Sequence, residues 1–155
     1  MTKLSEGYFL NVGSRRRNGQ TTWNLEETVL MEEKITLCGD DCFSCPRYTA
    51  KTDQELEHAA ELWYRVEWRD KIVPAEEMRC KGCSSHKNCT YHLVECIKEH
   101  NVQKCSQCSD FPCIKISDML QKSDKYQKTA KAVCSKDEYM QLEAAFFTKR
   151  ENLMK

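Results

Sequence analysis

The chain has 155 residues, of which 40% are hydrophobic and 31% charged, and this length suits one domain with a modest apolar core. Five glycines and three prolines exclude a collagen-like or low-complexity chain. Lys and Arg together number 24, as do Asp and Glu, so the net charge of zero excludes an overall basic field for nucleic acid or an anionic membrane.

The predicted elements begin with an N-terminal extension over residues 1–34. Its residues 13–21 form a polar run with two glycines, which is typical of loops and tails. The sequence shows neither the pattern of a signal peptide nor a run near the roughly 18 apolar residues of a membrane span. We therefore predict a partly flexible extension, one cysteine-rich metal-binding helical domain over residues 35–155, a cytoplasmic location and no membrane partner.

The domain is predicted to consist of short helices. Thr52 and Glu55 have the spacing of a capping box, and the helix that they begin is expected to run to about Lys71. Because no alternating strand pattern appears, we predict a mostly α fold, a small irregular helical domain with cysteine-rich loops that bind metal as zinc knuckles. Further helical segments are expected over residues 90–100, after Asp110, over residues 124–133 and after Ser135, which has a second capping box with Glu138.

Aromatic residues of the first helix are predicted to pack in the core. Trp63 and Trp68 lie near its end, and Tyr64 is assigned to the core with them. Cys134 lies on the apolar face of a helical pattern, so we expect it to be a small core residue rather than a ligand.

Eleven cysteines are the outstanding feature of the composition. A disulfide framework in a secreted protein and a metal site in a reducing compartment are the competing explanations. The odd number of cysteines, the missing signal peptide and the repeated Cys-x-x-Cys spacing favour metal. The grouped cysteines are Cys38, Cys42 and Cys45, then Cys80 and Cys83, then Cys89 and Cys96, and finally Cys105, Cys108 and Cys113.

The spacing predicts two zinc ions, each bound by four thiolates. A Cys-x-x-Cys pair brings two sulfurs to positions that suit Zn–S bonds of about 2.3 Å. The predicted sets are a long-range site of Cys42, Cys45, Cys80 and Cys83 and a local site of Cys96, Cys105, Cys108 and Cys113. Cys38 could replace a ligand of the first set, or Cys38, Cys42 and Cys45 could act together. His86 and His92 could substitute as ligands, whereas His58 and His100 are expected at the surface.

An iron–sulfur protein acting in electron transfer or radical-type redox chemistry stays the alternative. Cys38, Cys42 and Cys45 have the spacing of the cluster motif of radical S-adenosylmethionine enzymes. That enzyme class builds a barrel-like sheet, and the strand–helix alternation of such a sheet does not follow the motif here.

A binding or adaptor module is predicted in preference to an enzyme. The sequence contains no Gly-rich phosphate loop, no Gly-x-Ser-x-Gly elbow and no His-Glu-x-x-His motif. A protein is the expected partner. Nucleic acid is not favoured, because few aromatic residues accompany the lysines that flank the cysteines.

The cysteines, together with Gly39, Pro46, Tyr48, Gly82, Phe111 and Pro112, form a pattern that resembles the domain-of-unknown-function 3795 family of bacteria and archaea. The resemblance covers roughly residues 35–122. It implies a small cysteine-rich domain that binds zinc and has no established activity. The ligands that it implies are nine cysteines, namely Cys38, Cys42, Cys45, Cys80, Cys83, Cys96, Cys105, Cys108 and Cys113, and it leaves the role of Cys89 open.

Overall fold

A computed structural model of the chain describes residues 34–82 and 90–155. These residues form short helices and turns, and the predicted mostly α fold is confirmed. Within the described ranges, β pairing is limited to an isolated antiparallel bridge between Ile35 and Asp41. The elements are a 3₁₀ turn at Cys42–Ser44, α1 at Pro46–Thr49, α2 at Asp53–Arg65, α3 at Ala75–Met78, α4 at Leu93–Glu99, a 3₁₀ turn at Cys105–Gln107, α5 at Ile114–Val133, α6 at Lys136–Leu142, a π-helical turn at Glu143–Phe147 and α7 at Lys149–Leu153.

Both predicted capping boxes are present. At the start of α2, the Thr52 hydroxyl accepts from the Glu55 N–H, and the Glu55 carboxylate accepts from the Thr52 N–H at 2.9 Å. At the start of α6, Ser135 and Glu138 make the same reciprocal pair. Each box satisfies backbone N–H groups that the first helical turn leaves without partners.

Helix α2 ends at Arg65, before the predicted end near Lys71. Glu67 adopts a left-handed conformation with φ 62°, and the Trp68 N–H donates to the Trp63 carbonyl at 2.9 Å. This bond and the one from Glu67 to the Tyr64 carbonyl form a Schellman motif that stops the helix. The motif turns the chain back, so that the rings of Trp63 and Trp68 meet edge to face at 4.9 Å.

The helices around residue 110 also differ from the prediction. Helix α5 begins at Ile114 with Cys113 as its N-cap, so the prediction that a helix begins directly after Asp110 is wrong. Pro112 disfavours helical geometry in the residue before it. Phe111 therefore does not join a helix that starts earlier. The segment predicted over residues 124–133 belongs to α5, a single helix of 20 residues.

The first hydrophobic cluster forms around α2. Leu56, Ala59, Ala60, Leu62 and Trp63 supply its buried face, which packs against residues of α3, α5 and the π-helical turn. Tyr64, by contrast, is 49% exposed, so its assignment to the core is wrong.

The second hydrophobic cluster joins the N-terminal described loop to the C-terminal half of the chain. Its buried members are Cys38, Leu93, Cys105, Ile116, Met119, Leu120 and Leu153. The α7 side chain Asn152 donates to the Gly39 carbonyl at 2.9 Å, and the Lys149 ammonium forms an ion pair with Asp40. Helix α7 therefore covers the loop that carries Cys38.

The substitution Gly39→Ala tests this contact. Gly39 has φ +84°, and an added Cβ would lie 2.8 Å from the Lys149 carbonyl oxygen. We expect a loss of about 1–3 kcal/mol from backbone strain and a further loss from displacement of α7, measured by denaturant unfolding.

The matched control is Gly82→Ala. Gly82 also has a positive φ of +96°, but the nearest atom to its added Cβ is the flexible Lys34 ammonium at 3.2 Å. Its loss should be the smaller of the two because the lysine can move aside. Equal losses in the two variants would show that the contact with α7 adds nothing to the strain.

Candidate metal centre

Four cysteines line one pocket between α4 and the start of α5. They are Cys96, Cys105, Cys108 and Cys113, the set predicted for the local site. Cys105 is buried, and the other three are partly exposed. Burial raises the pKa of the Cys105 thiol, and the neighbouring thiols Cys96, Cys113 and Cys108 raise it further. The sulfurs are therefore close enough to interact electrostatically.

Each of two Cys-x-x-Cys pairs is bent by a 3₁₀ turn. The Cys108 N–H donates to the Cys105 carbonyl at 3.0 Å, and the Cys45 N–H donates to the Cys42 carbonyl at 3.2 Å. Asp41 caps the earlier turn by accepting from the Phe43 N–H at 3.0 Å. The turns place both cysteines of a pair on one side of the chain, as chelation by a pair requires.

Two cysteines of the predicted long-range site, Cys42 and Cys80, interact electrostatically with a third, Cys45. Burial raises the pKa of Cys45 to about 11, and the nearby thiols Cys80 and Cys42 act in the same direction. Arg47 of α1 spans this region by donating to three carbonyls around α3, those of Met78, Glu77 and Arg79. The fourth predicted ligand, Cys83, lies outside the described residues.

Lys34 supplies a positive charge at this thiol group. Its ammonium lies 4.4 Å from the centroid of the Tyr48 ring and donates to the Tyr48 hydroxyl at 2.6 Å. The hydrogen bond to Tyr48, with smaller effects of Cys42 and Cys80, raises the pKa of Lys34. A cation in this position lowers the electrostatic cost of several thiolates around one ion.

Cys38 lies in the second hydrophobic cluster under α7. Its sulfur is 3.1 Å from the Thr36 hydroxyl, 3.2 Å from an Asp40 carboxylate oxygen and 3.8 Å from the Lys149 ammonium. Burial and then the negative charge of Asp40 raise the pKa of Cys38 to about 11. The Cys38 thiol is therefore surrounded by a hydroxyl, a carboxylate and an ammonium group, whereas Cys45 is affected by two other thiols.

Another set of potential ligands lies at the mouth of the thiol pocket. Donor atoms of His100, Cys108 and Asp110 are all within 4.8 Å of one another. His100 is exposed, as the sequence predicts, but the sequence does not predict its proximity to Cys108 and Asp110. The sequence does contain one signal that His100 lies near the thiol pocket. Cys96 and His100 are four residues apart, and this spacing places both on one face of a helix.

The other residues considered as ligands or core cysteines either do not line the thiol pocket or lie outside the described residues. Cys134 is partly buried against the first hydrophobic cluster, in agreement with its predicted core role. His92 precedes α4 in a left-handed conformation with φ 52°. Cys89 and His86 lie outside the described residues, as does the extension predicted for residues 1–34, apart from Lys34.

The donor sets fit zinc by their chemistry. Zinc prefers thiolate and imidazole ligands, and soft thiolates also select iron–sulfur clusters. Magnesium and calcium require oxygen ligands, which the buried thiol pocket does not supply. The thiols of Cys96, Cys105, Cys108 and Cys113 therefore favour a thiophilic ion at their pocket.

In the folded protein as purified, Cys38 should react with iodoacetamide more slowly than Cys134. Its thiol is buried beneath α7 and has a pKa of about 11, whereas Cys134 is partly exposed. The thiolate is the reactive form, so both effects slow the reaction. Peptide mass spectrometry over a time course gives the two rates. Faster labelling of Cys38 would contradict the coverage of this thiol by α7.

Within the described residues, no helix is both long enough and apolar enough to cross a membrane.

Comparisons with known proteins give a family and no established activity. A family model described as "Protein of unknown function (DUF3795)" matches residues 34–118, the segment that carries both groups of cysteines. Neither the curated proteins nor the solved structures contain a match to the chain. The match covers more than half of the 155 residues. The chain therefore belongs to the DUF3795 family of proteins of unknown function.

Proposed function

We propose that the protein is a zinc-stabilised binding module with two thiolate metal sites. The observation that carries this proposal is the convergence of Cys96, Cys105, Cys108 and Cys113 on one pocket. The second site would use Cys42, Cys45, Cys80 and Cys83, and the electrostatic effect of Cys80 and Cys42 on Cys45 supports it. Zinc is the proposed ion because four thiolates are a common structural zinc ligand set.

The sizes of the elements support a structural role for the ion. Helix α4 has seven residues, and α1 and α3 have four each. Isolated helices shorter than about 12 residues are marginal in water, so these elements depend on tertiary contacts. Structural zinc contributes roughly 10 kcal/mol or more in small peptides, which is large compared with the stability of an ordinary domain.

A binding role is supported by the side chains beside the candidate ligands. Phe43, which follows Cys42, is 50% exposed, and Ile114, which follows Cys113, is 74% exposed. A closed four-thiolate zinc site leaves no coordination position for a substrate. The exposed apolar side chains that such sites fix in place suit contact with a partner protein, since interface centres are enriched in aromatic and apolar groups.

Four cysteines can also bind an iron–sulfur cluster, and this is the second candidate function. The same thiol pocket supports it, and the kind of metal distinguishes the two. An iron–sulfur protein would be brown and sensitive to oxygen, whereas a zinc protein is colourless.

Removal of metal by a strong chelator should reduce the helical circular dichroism and lower the melting temperature. The reason is that the short helices around the pocket would lose the ion that joins them. The substitution Cys105→Ser should remove one zinc per chain and produce part of the same loss, because this buried sulfur lines the pocket and interacts electrostatically with the other three thiols.

The matched control is Cys134→Ser, at a cysteine packed against the first hydrophobic cluster. It should keep the zinc content of the wild-type protein. Unchanged helical signal and melting temperature after complete demetallation would refute the structural role of the metal.

A further inference from the structure

We propose that His100, Cys108 and Asp110 form a solvent-facing metal site at the mouth of the thiol pocket, which binds a divalent transition ion such as Zn²⁺ or Co²⁺. The site shares Cys108 with the proposed four-thiolate site, and to that extent it rests on the proposed function. It adds an imidazole nitrogen and a carboxylate oxygen to the chemistry of the pocket.

The distance between two of the donors matches zinc coordination. The Nδ1 atom of His100 lies 3.6 Å from the Sγ atom of Cys108. Zinc bonds of about 2.3 Å to sulfur and about 2.0 Å to nitrogen, separated by a tetrahedral angle, place the two ligand atoms about 3.5 Å apart. The pair thus has the separation of two ligands on one ion. The Asp110 carboxylate also lies within 4.8 Å of both atoms.

Local structure places each of the three donors. The His100 N–H donates to the Cys96 carbonyl at 3.1 Å, which fixes His100 directly after α4. Cys108 follows the 3₁₀ turn, and the Phe111 N–H donates to its carbonyl at 3.1 Å. The Ser109 hydroxyl donates to Asp110 Oδ1 at 3.4 Å, a contact of the kind that orients carboxylate ligands.

The exposure of the set distinguishes it from the inner thiols. His100 and Asp110 are exposed and Cys108 is partly exposed, whereas Cys105 is buried. Three protein ligands at the surface leave a fourth position for water or an external ligand, as in open zinc sites. Since Cys108 belongs to both ligand sets, an ion at the mouth also lies next to the inner thiols.

The test uses the full chain with Cys96→Ser and Cys113→Ser, which removes two inner thiols and keeps His100, Cys108 and Asp110. Co²⁺ is the probe, because its visible spectrum reports thiolate ligation and its paramagnetism shifts the proton signals of a bound imidazole. Adding His100→Ala should lower Co²⁺ affinity at least about tenfold, since even residues that only support ligands contribute 10–100-fold. The shifted imidazole signals should disappear.

Two controls match this change. His58→Ala removes an exposed histidine of α2, and Asp118→Asn changes an exposed carboxylate of α5. Neither should alter Co²⁺ affinity, whereas Asp110→Asn should weaken it. If His100→Ala leaves the affinity and the spectrum unchanged, the contact between His100 and Cys108 is only a hydrogen bond and the proposed site is wrong.

The results separate this proposal from the four-thiolate site. Loss of zinc in Cys105→Ser with no effect of His100→Ala would keep the inner site and overturn the outer one. Wild-type zinc content in the Cys96→Ser, Cys113→Ser variant, together with a lower Co²⁺ affinity in His100→Ala, would keep the outer site and overturn the inner one. If that double variant does not fold, the imidazole signals of Co²⁺-loaded wild-type protein decide, and their persistence in His100→Ala would overturn the proposal.

Discussion

The structure depends on contacts between short helices, because these helices are stable only when they pack against one another or share a bound ion. Helices α1, α3 and α4 are too short to be stable alone. Most of the candidate ligands that the structure describes lie in the turns and at the helix ends between them, and Cys96 lies within α4. Cys105 is at once a core residue and a candidate ligand. Packing and metal binding would therefore stabilise the same junctions. Helix α7 is joined to the Cys38 loop in a different way, by an ion pair and hydrogen bonds.

The sequence predicts those parts of the fold whose signals are local. The capping boxes at Thr52 and Ser135 identify two helix starts. A Ser or Thr three residues before Glu allows each side chain to accept a hydrogen bond from the backbone N–H of the other residue, which is the geometry of a helix N-terminus. The end of α2 is not predictable in this way. Its Schellman motif uses Glu67 in a left-handed conformation that is usually supplied by glycine, so no residue type announces it. The exposure of Tyr64 likewise depends on which elements pack beside α2.

The candidate site follows a similar division. Cysteine spacing places Cys96, Cys105, Cys108 and Cys113 in one set, and the structure brings these four to one pocket. The surroundings of Cys38 are not visible in the sequence, because Lys149 is separated from it by 111 positions along the chain. His100 is exposed, as the sequence predicts. Its proximity to Cys108 depends on the 3₁₀ turn at Cys105–Gln107, which cysteine spacing alone does not predict.

Metal identity and stoichiometry in untagged, anaerobically prepared protein test the central claim most directly. Elemental analysis of the purified chain should give at least two zinc ions per chain, one for each four-thiolate site, with no iron. The solution should show no absorption near 400 nm, where iron–sulfur clusters absorb. A protein that folds with no bound metal would contradict the account, and iron in place of zinc would assign the thiol pocket to a cluster.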